Sequence, residues 1–288
     1  MYSYQHILFD VLEYGTEKFP QRVVGNEGQV DGSLRTIGKP NVNWEHHMEN
    51  GFPLLTTKKM GLKNIAVELE FFIKGLTDKN WLQERKCHIW DEWSSPTSPW
   101  VAELGPIYGY QWRSFGKKFP HDDGSIHTDQ LASILDTLKN KPQDRRMVCS
   151  AWNPNQIQHM ALPPCHLLWN VTVYNDELHL SWHQRSCDLF LGVPYNIASY
   201  ALLLLLLSKH AGLRPGSLAA RFMDCHLYEN QIDVAREQLE RQPKILPTVT
   251  IPDTLKSGKP FSVLDWTYED FELHNYNPHG SLKCDVVS

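Results

Sequence analysis

The stretch LLWNVTVYNDELHLSWHQRS, residues 167–186, decides the fold class. Its two arms, 167–174 and 177–186, are runs rich in β-branched and aromatic residues. They join across Asn175-Asp176 as the strands of a hairpin join across a tight turn. Upstream, MVCSAW (147–152) has the same composition, and downstream Leu218 to Tyr228 and KILPTVTI (244–251) add further strand candidates. Helical periodicity surrounds this sheet. Ile7, Leu8, Val11 and Leu12 are spaced as on a helix over residues 5–17, with Gly15 as its stop. Leu62 to Lys74, ended by Gly75, and Asp129 to Lys139 repeat the pattern, whereas Gln21 to Pro40 reads as strand fragments and loop. The expectation is α+β: a mixed sheet with packed helices in a single domain, residues 1–288.

Composition excludes several classes. With 288 residues, 41% hydrophobic content and 21% charge, the chain can bury a full core and lacks the signature of disorder. A net charge of −5 argues against a broad basic face, so no nucleic-acid partner is expected. The most apolar run, Ile197 to Leu207, is about half of the ~20 residues a membrane span requires and reads as a buried helix. No membrane partner is expected. The opening MYSYQHILFDVLEYGTEKF carries no readable signal or transit peptide, and six cysteines without CxxC spacing are read as free thiols. Cytosol is the expected compartment, a host's if the chain is viral. His46-His47 and the cysteines lack ligand spacing, so no metal is expected.

Chemistry concentrates around Cys165 in Ala161-Leu-Pro-Pro-Cys-His166. A cysteine attacks as thiolate and requires a nearby positive charge, for which Arg185 in Gln184-Arg185-Ser186 is a candidate; the plain alternative is a buried inert thiol. Arg145-Arg146 and Arg185-Ser186 suit capture of a phosphate monoester, against the alternative of solvated charge. Asn196 can read a pyrimidine edge or cap the leucine helix. Asp224, His226 and Tyr228 alternate, so on a strand all three share one face. Glu68, mid-helix among apolar neighbours, would have a raised pKa suited to proton transfer, while Glu70 should project elsewhere. Trp90-Asp-Glu-Trp93 and Tyr108-Gly-Tyr-Gln-Trp-Arg113 can stack a heteroaromatic ring or simply pack the core.

Taken together these segments resemble the thymidylate synthase family. The resemblance is carried, in order, by GFPLLTTKK (51–59), IWDEW (89–93), LGPIYGYQWR (104–113), DRR (144–146), SAWNP (150–154), MALPPCH (160–166), QRSCD (184–188), FLGVPYNIASY (190–200) and HLY (226–228). It implies an α+β homodimer that transfers a one-carbon unit from 5,10-methylenetetrahydrofolate, a co-substrate, to C5 of dUMP. Position by position it implies Cys165 as nucleophile at C6, Asn196 on the base edge, Glu68 in the proton network, and Tyr108 at the C5 proton. Arg185 and Ser186 would hold the phosphate with Arg145 and Arg146 of the partner subunit, and His226 and Tyr228 the ribose. His166 and Gln184 would line the nucleotide pocket. Asp188, Trp90, Leu191, Gly192 and Tyr195 would serve the folate.

Four departures accompany the match. The family's N-terminal Arg-Thr-Gly-Thr-Gly loop is not intact, which leaves Arg22 as first candidate for its phosphate arginine and Arg35 as second. Phe222-Met223 stands where the family has a glycine pair. The chain ends Val286-Val287-Ser288 rather than on an apolar residue. Glu-Leu-Glu-Phe (68–71) resembles the related pyrimidine nucleotide hydroxymethylases. A looser terminus and an added carboxylate could admit water where the methylating enzymes use hydride, so a dUMP 5-hydroxymethylase is the alternative outcome. Two further classes compete: a non-catalytic nucleotide- or RNA-binding relative, and a Cys–His hydrolase on Cys165-His166. Adjacent residues of a strand face opposite ways, which places that pair poorly for a dyad.

Overall fold

The computed structural model describes residues 2–20, 22–24, 29–31, 35–120, 124 and 126–285, with side chains described outside 22–24 and 29–31. In chain order the elements begin α1 (Tyr2–Tyr14), β1 (Thr16–Lys18), β2 (Arg22–Val24), β3 (Gln29–Asp31), β4 (Thr36–His47) and α2 (Leu62–Ile73). They continue through α3 (Asn80–Glu84), α4 (Tyr108–Ser114), α5 (Gln130–Asn140), β5 (Val148–Ser150), β6 (His166–Tyr174) and β7 (Glu177–Gln184). The last are β8 (Cys187–Asp188), α6 (Gly192–Ala211), β9 (Arg214–Tyr228), α7 (Ile232–Glu240), β10 (Thr248–Thr250) and β11 (Glu272–His274). The main sheet runs β1-β4-β9-β7-β6-β5, with β8 continuing beside β9 where β7 ends. β9 pairs antiparallel with β4 and parallel with β7 and β8, so the sheet is mixed and the α+β expectation holds.

The opening hairpin forms as its turn residues require. Asn175 and Asp176 take φ of 51° and 61°, the left-handed pair whose twist matches that of two antiparallel strands. Along β7 the residues alternate, and Leu178, Leu180, Trp182 and Gln184 all turn to the buried face. One irregularity matters: the β6–β7 register shifts between His166 and Leu168. The extra residue, Leu167, lets its carbonyl accept from the Ala151 and Trp152 amides at 2.8 and 3.3 Å. His166 thereby faces inward, three residues rather than two from the next core residue, Trp169.

α6 is longer than the leucine run alone indicates, because Gly192 to Asn196 form its first turns. Leu202, Leu203, Leu204, Leu206 and Leu207 are fully buried, since this helix packs on the sheet through one side and on α2 and α5 through others. An all-round apolar surface is what such a position demands. Trp182 stacks on Tyr200 of α6 at 4.7 Å and meets Phe222 of β9 edge-on at 5.9 Å. This aromatic layer lies directly below the residues that line the cavity described next.

Some boundaries differ from the periodicity. α1 begins at Tyr2 and ends before Gly15, whose amide returns to the Val11 carbonyl at 3.0 Å. β4 begins inside the stretch read as strand fragments and loop and runs on through residues 41–47, which the sequence reading left unassigned, where outward-facing Asn43, Glu45 and His47 alternate with Trp44 and His46. Only Thr248–Thr250 of residues 244–251 pair, with β11 in a separate ribbon. Phe222 is core and Met223 lies on the outer face of β9.

α4 presses its backbone on α2 at Gly109, where an added Cβ would stand 2.7 Å from both the Phe72 Cα and its carbonyl oxygen. Both neighbours are main chain and cannot turn aside. Gly109→Ala should therefore cost about 1–3 kcal/mol of stability and displace Tyr108 from the cavity wall. Chemical denaturation checks this; an unchanged midpoint would show that the two helices are free to slide apart.

Candidate active site

The core-facing rows of β6, β7 and β9 run out beside the first turns of α6, and there a cavity of about 410 Å³ opens. From the strand ends come His166, Gln184, Ser186, Asp188, His226 and Tyr228; from α6 and its approach, Leu191, Gly192, Tyr195 and Asn196. Cys165 enters just ahead of β6, Glu68 from α2, Tyr108 from α4 and Trp90 from the loop after α3. The volume is typical of small-molecule sites, which bury most of a ligand.

Cys165 is fixed from three directions. Its amide donates to the Tyr108 Oη at 2.7 Å and its carbonyl accepts from the Arg185 amide at 2.8 Å. The Arg185 guanidinium donates to the carbonyls of Pro164 and Pro163, at 2.9 and 2.8 Å, clamping the loop that carries the thiol. The sequence expectation that Arg185 lowers the thiol pKa is corrected in its net direction. Burial pushes the thiol up, while Arg185 and Tyr108 oppose it in part. Arg185 itself does not line the cavity.

The bulge at Leu167 brings Cys165 and His166 to the same cavity, contrary to simple strand alternation. They still make no dyad. His166 Nδ1 is hydrogen-bonded to the Tyr200 Oη at 2.8 Å, and its ring stacks on Tyr108 at 4.1 Å. Burial alone drives the imidazole down to about 3, so it is neutral at physiological pH.

Glu68 accepts from Trp90 Nε1 at 2.7 Å. Burial lifts this carboxyl to about 7 and the indole bond opposes the rise, so both protonation states are accessible at neutral pH. Glu70 lies two residues on, hence on the opposite side of α2, where its carboxylate takes Lys74 and the Tyr268 amide, the latter at 2.8 Å. It does not reach the cavity.

Asn196 is not a cap: it sits inside α6, in the second turn, and Leu191 occupies the capping position. Its Oδ1 accepts from Gln184 Nε2 at 3.0 Å, while the Trp182 indole fixes Gln184 from behind at 3.1 Å. That bond leaves the Asn196 Nδ2 donors and one Oδ1 lone pair for a ligand. The turn that leads into α6 is held by Asp188, whose Oδ1 accepts from the Phe190 and Leu191 amides at 3.0 and 2.9 Å. Gln231 Nε2 reaches both oxygens of the same carboxylate at 3.1 Å.

His226 and Tyr228 share the cavity-facing side of β9, with ring centroids 5.1 Å apart. Asp224 has the same orientation but stops at the rim, held by Lys18 and 3.3 Å from His226 Nδ1. Arg145 and Arg146 do not enter this cavity. They are exposed before β5, in a separate concavity with Asp144, which binds Arg146 through Nε at 3.0 Å and the terminal nitrogen at 2.7 Å. Arg22 lies on β2, and its side chain falls outside the described residues, as does Ser288. Arg35 is taken by Glu17 and by Glu229, the latter at 2.7 Å.

Trp93, read from the sequence as part of an aromatic platform, lines the cavity, and three lining residues escaped that reading: Ile89, Leu162 and Cys284. The first two lie close to predicted residues and were legible as neighbours. Cys284 had no signal, being set in a C-terminal segment without pattern. It reaches the wall because its thiol donates to the Asn230 carbonyl at 3.4 Å.

The thymidylate synthase family model matches residues 2–288. The chain belongs to the thymidylate synthase family. Membership makes it a one-carbon transferase of nucleotide biosynthesis, in a family that uses methylenetetrahydrofolate as co-substrate. Among the described residues of this thymidylate synthase-family chain no helix is long and apolar enough to cross a membrane, and no cluster of His, Cys, Asp and Glu could hold a metal ion.

The raised Glu68 carboxyl has a measurable consequence. An ordinary glutamate ionises near 4.5, so a group held at about 7 contributes stability while protonated, fully below 4.5, and loses it as pH rises through 7. Glu68→Gln stays neutral throughout. Its melting temperature should fall less than the native one between pH 5 and 8.5, and parallel calorimetric curves would mean that Glu68 ionises normally.

Proposed function

We propose that the chain is a thymidylate synthase, converting dUMP to dTMP with 5,10-methylenetetrahydrofolate through a covalent bond between Cys165 and C6 of the base. The observation that carries this reading is convergence. A nucleophilic sulfur, a carboxyl poised at about 7 and a half-satisfied amide line one cavity.

Asn196 would hold uracil through the atoms Gln184 leaves available, Nδ2 donating to O4 and Oδ1 accepting from N3–H. Cytosine presents an amino group and a bare N3 at those places, so the amide pairing is reversed. As Cys165 Sγ bonds to C6, the C5–C6 π pair moves onto C5 and O4. The Glu68 proton answers the developing charge on O4, in a site where burial makes such compensation strong. Loss of the C5 proton, with Tyr108 as relay, would expel the folate nitrogen and leave a methylene at C5; a hydride added to that carbon would return the electron pair to the C5–C6 bond and expel Cys165. His226 and Tyr228 would bind the ribose, with Ser186, Arg185 and His166 completing the nucleotide end. Two further phosphate ligands, Arg145 and Arg146, stand outside the cavity of their own chain; a homodimer in which each subunit completes its partner's site accounts for them. Arg22 is proposed for the same phosphate.

The side chains also suit the folate. Trp90, Trp93, Leu191 and Tyr195 supply apolar and aromatic wall, and Asp188 a fixed carboxylate able to accept from pterin nitrogens. Bound there, the folate supplies the one-carbon unit at C5 and then a hydride. Against water as the terminal reagent stands Glu70, the carboxylate that suggested a hydroxymethylase, because it faces away from the cavity.

Incubation with dUMP and methylenetetrahydrofolate should yield dTMP and dihydrofolate in equal amounts, followed by absorbance and mass spectrometry. Hydroxymethyl-dUMP without dihydrofolate would replace hydride by water, and no product would return the chain to a binding role. Cys165→Ser should lower turnover by on the order of a thousandfold or more, because an alcohol is scarcely ionised where the thiol already resists ionisation. Asn196→Asp should lower dUMP turnover and admit dCMP; unchanged base preference would remove Asn196 from the base edge.

A further inference from the structure

Lys79 is an ammonium in an unusual place. It precedes α3, only 5% of its surface is exposed, and its Nζ donates to the carbonyls of Asp91 and Trp93 at 2.9 and 2.7 Å. A third acceptor, the Ser94 Oγ, lies at 3.3 Å. Neither carboxylate of that loop bonds it: Asp91 takes Gln83 Nε2 at 2.9 Å and His88 Nδ1 at 2.8 Å, and Glu92 is exposed. Burying a cation whose hydrogen bonds all go to neutral oxygens, with the Asp91 carboxylate acting only through space, costs more than an apolar side chain of the same length would. What the cation achieves is geometric, since its donors join points two and three residues apart on a single turn.

That turn carries the cavity's aromatic wall. The Trp93 amide closes it on the Trp90 carbonyl at 3.2 Å, and the two indoles meet edge-on at 6.0 Å. Trp90 then extends Nε1 to Glu68. We propose that Lys79 is a positioning residue for the proposed reaction, holding loop 90–94 so that the Trp90 indole stays on the Glu68 carboxyl. Lys79 touches neither cavity nor ligand; it acts through the main chain of the loop. The other titratable groups facing Glu68 are Tyr108 of α4, Tyr195 and Tyr200 of α6, and Cys87, all uncharged at neutral pH through burial. The indole is therefore the local partner whose loss the carboxyl would register.

The inference rests on the proposed function for its kinetic arm only. In native protein labelled at tryptophan indole nitrogens, the Trp90 resonance, assigned by its absence in Trp90→Phe, should move as Glu68 titrates near pH 7. In Lys79→Met that movement should vanish while the Trp112 and Trp169 resonances stay in place, reporting an intact core. If Lys79→Met does not fold, Lys79→Gln, which keeps a donor at the site, takes its place with a reduced movement expected. A folded variant whose Trp90 signal still titrates as in the native protein overturns the proposal. In turnover, Lys79→Met should lower kcat on the order of tenfold with the KM for dUMP little changed, as loss of alignment does. The double variant with Trp90→Phe should fall no lower than Trp90→Phe alone, and additive losses overturn the proposal. If native protein forms no dTMP, the reading of the site fails, and the indole titration still decides Lys79.

Discussion

The cavity exists because one carboxylate, Asp188, closes the start of α6. Its Oδ1 takes two main-chain amides there, and both of its oxygens take the Gln231 side chain. Gln231 is fully buried and also accepts from the Tyr228 amide at 3.1 Å, so the last residue of β9 and the turn that leads into α6 hang on the same group. From the far side, Tyr4 of α1 donates its hydroxyl to the Leu189 carbonyl at 2.8 Å. The amides Asp188 takes belong to the turn just before the helix, and the carboxylate there also meets the positive end of the helix dipole. Moving it would move the start of α6, with Asn196, and the cavity-facing end of β9 at once.

Burial is the common electrostatic theme of the cavity. It raises the Cys165 thiol and the Glu68 carboxyl, lowers His166 to about 3, and carries the Tyr108 phenol well above its ordinary value. Each shift favours the neutral form, so these groups carry little charge before a ligand arrives. A site of that kind responds most strongly to charge that develops inside it, because nothing nearby has been spent on solvating ions of its own. A dianionic phosphate brought close to Arg185 would enter surroundings where that guanidinium already gives two donors to the proline loop. The Arg185 guanidinium and the position of Cys165 are in this way mechanically joined.

Much of this was legible in the residues. The hairpin across Asn175-Asp176, the helix at 62–74 and the buried leucine helix followed from turn chemistry and periodicity. Glu68 was recognisable as a carboxyl among apolar neighbours, and Glu70 as its opposite-facing companion. Strand alternation failed at His166, because a bulge is set by tertiary pairing, here of Leu167 with Ala151 and Trp152, and leaves no trace in local composition. β4 was foreseen only as strand fragments before Pro40, and its continuation through 41–47 was not assigned, because its polar residues are those of a strand with one open face. Arg185 was found as a charge, but its bonds to Pro163 and Pro164 depend on strand ends twenty residues apart in the chain.

Glu68 and Glu70 show why a short motif and a side-chain environment can point different ways. Two residues on a helix differ by about 200° in direction, so neighbouring carboxyls of identical chemistry enter unrelated surroundings. One meets an indole and an apolar cavity and is lifted toward 7; the other meets an ammonium four residues on and a main-chain amide. The Glu-Leu-Glu spelling is therefore a statement about α2's contact with Tyr268, not about the reacting atoms. What decides between hydride and water must lie among groups that line the cavity. There the aromatic wall set by the 90–93 turn is the element able to exclude solvent, and a cation buried behind it, rather than a carboxylate within it, governs where that wall stands.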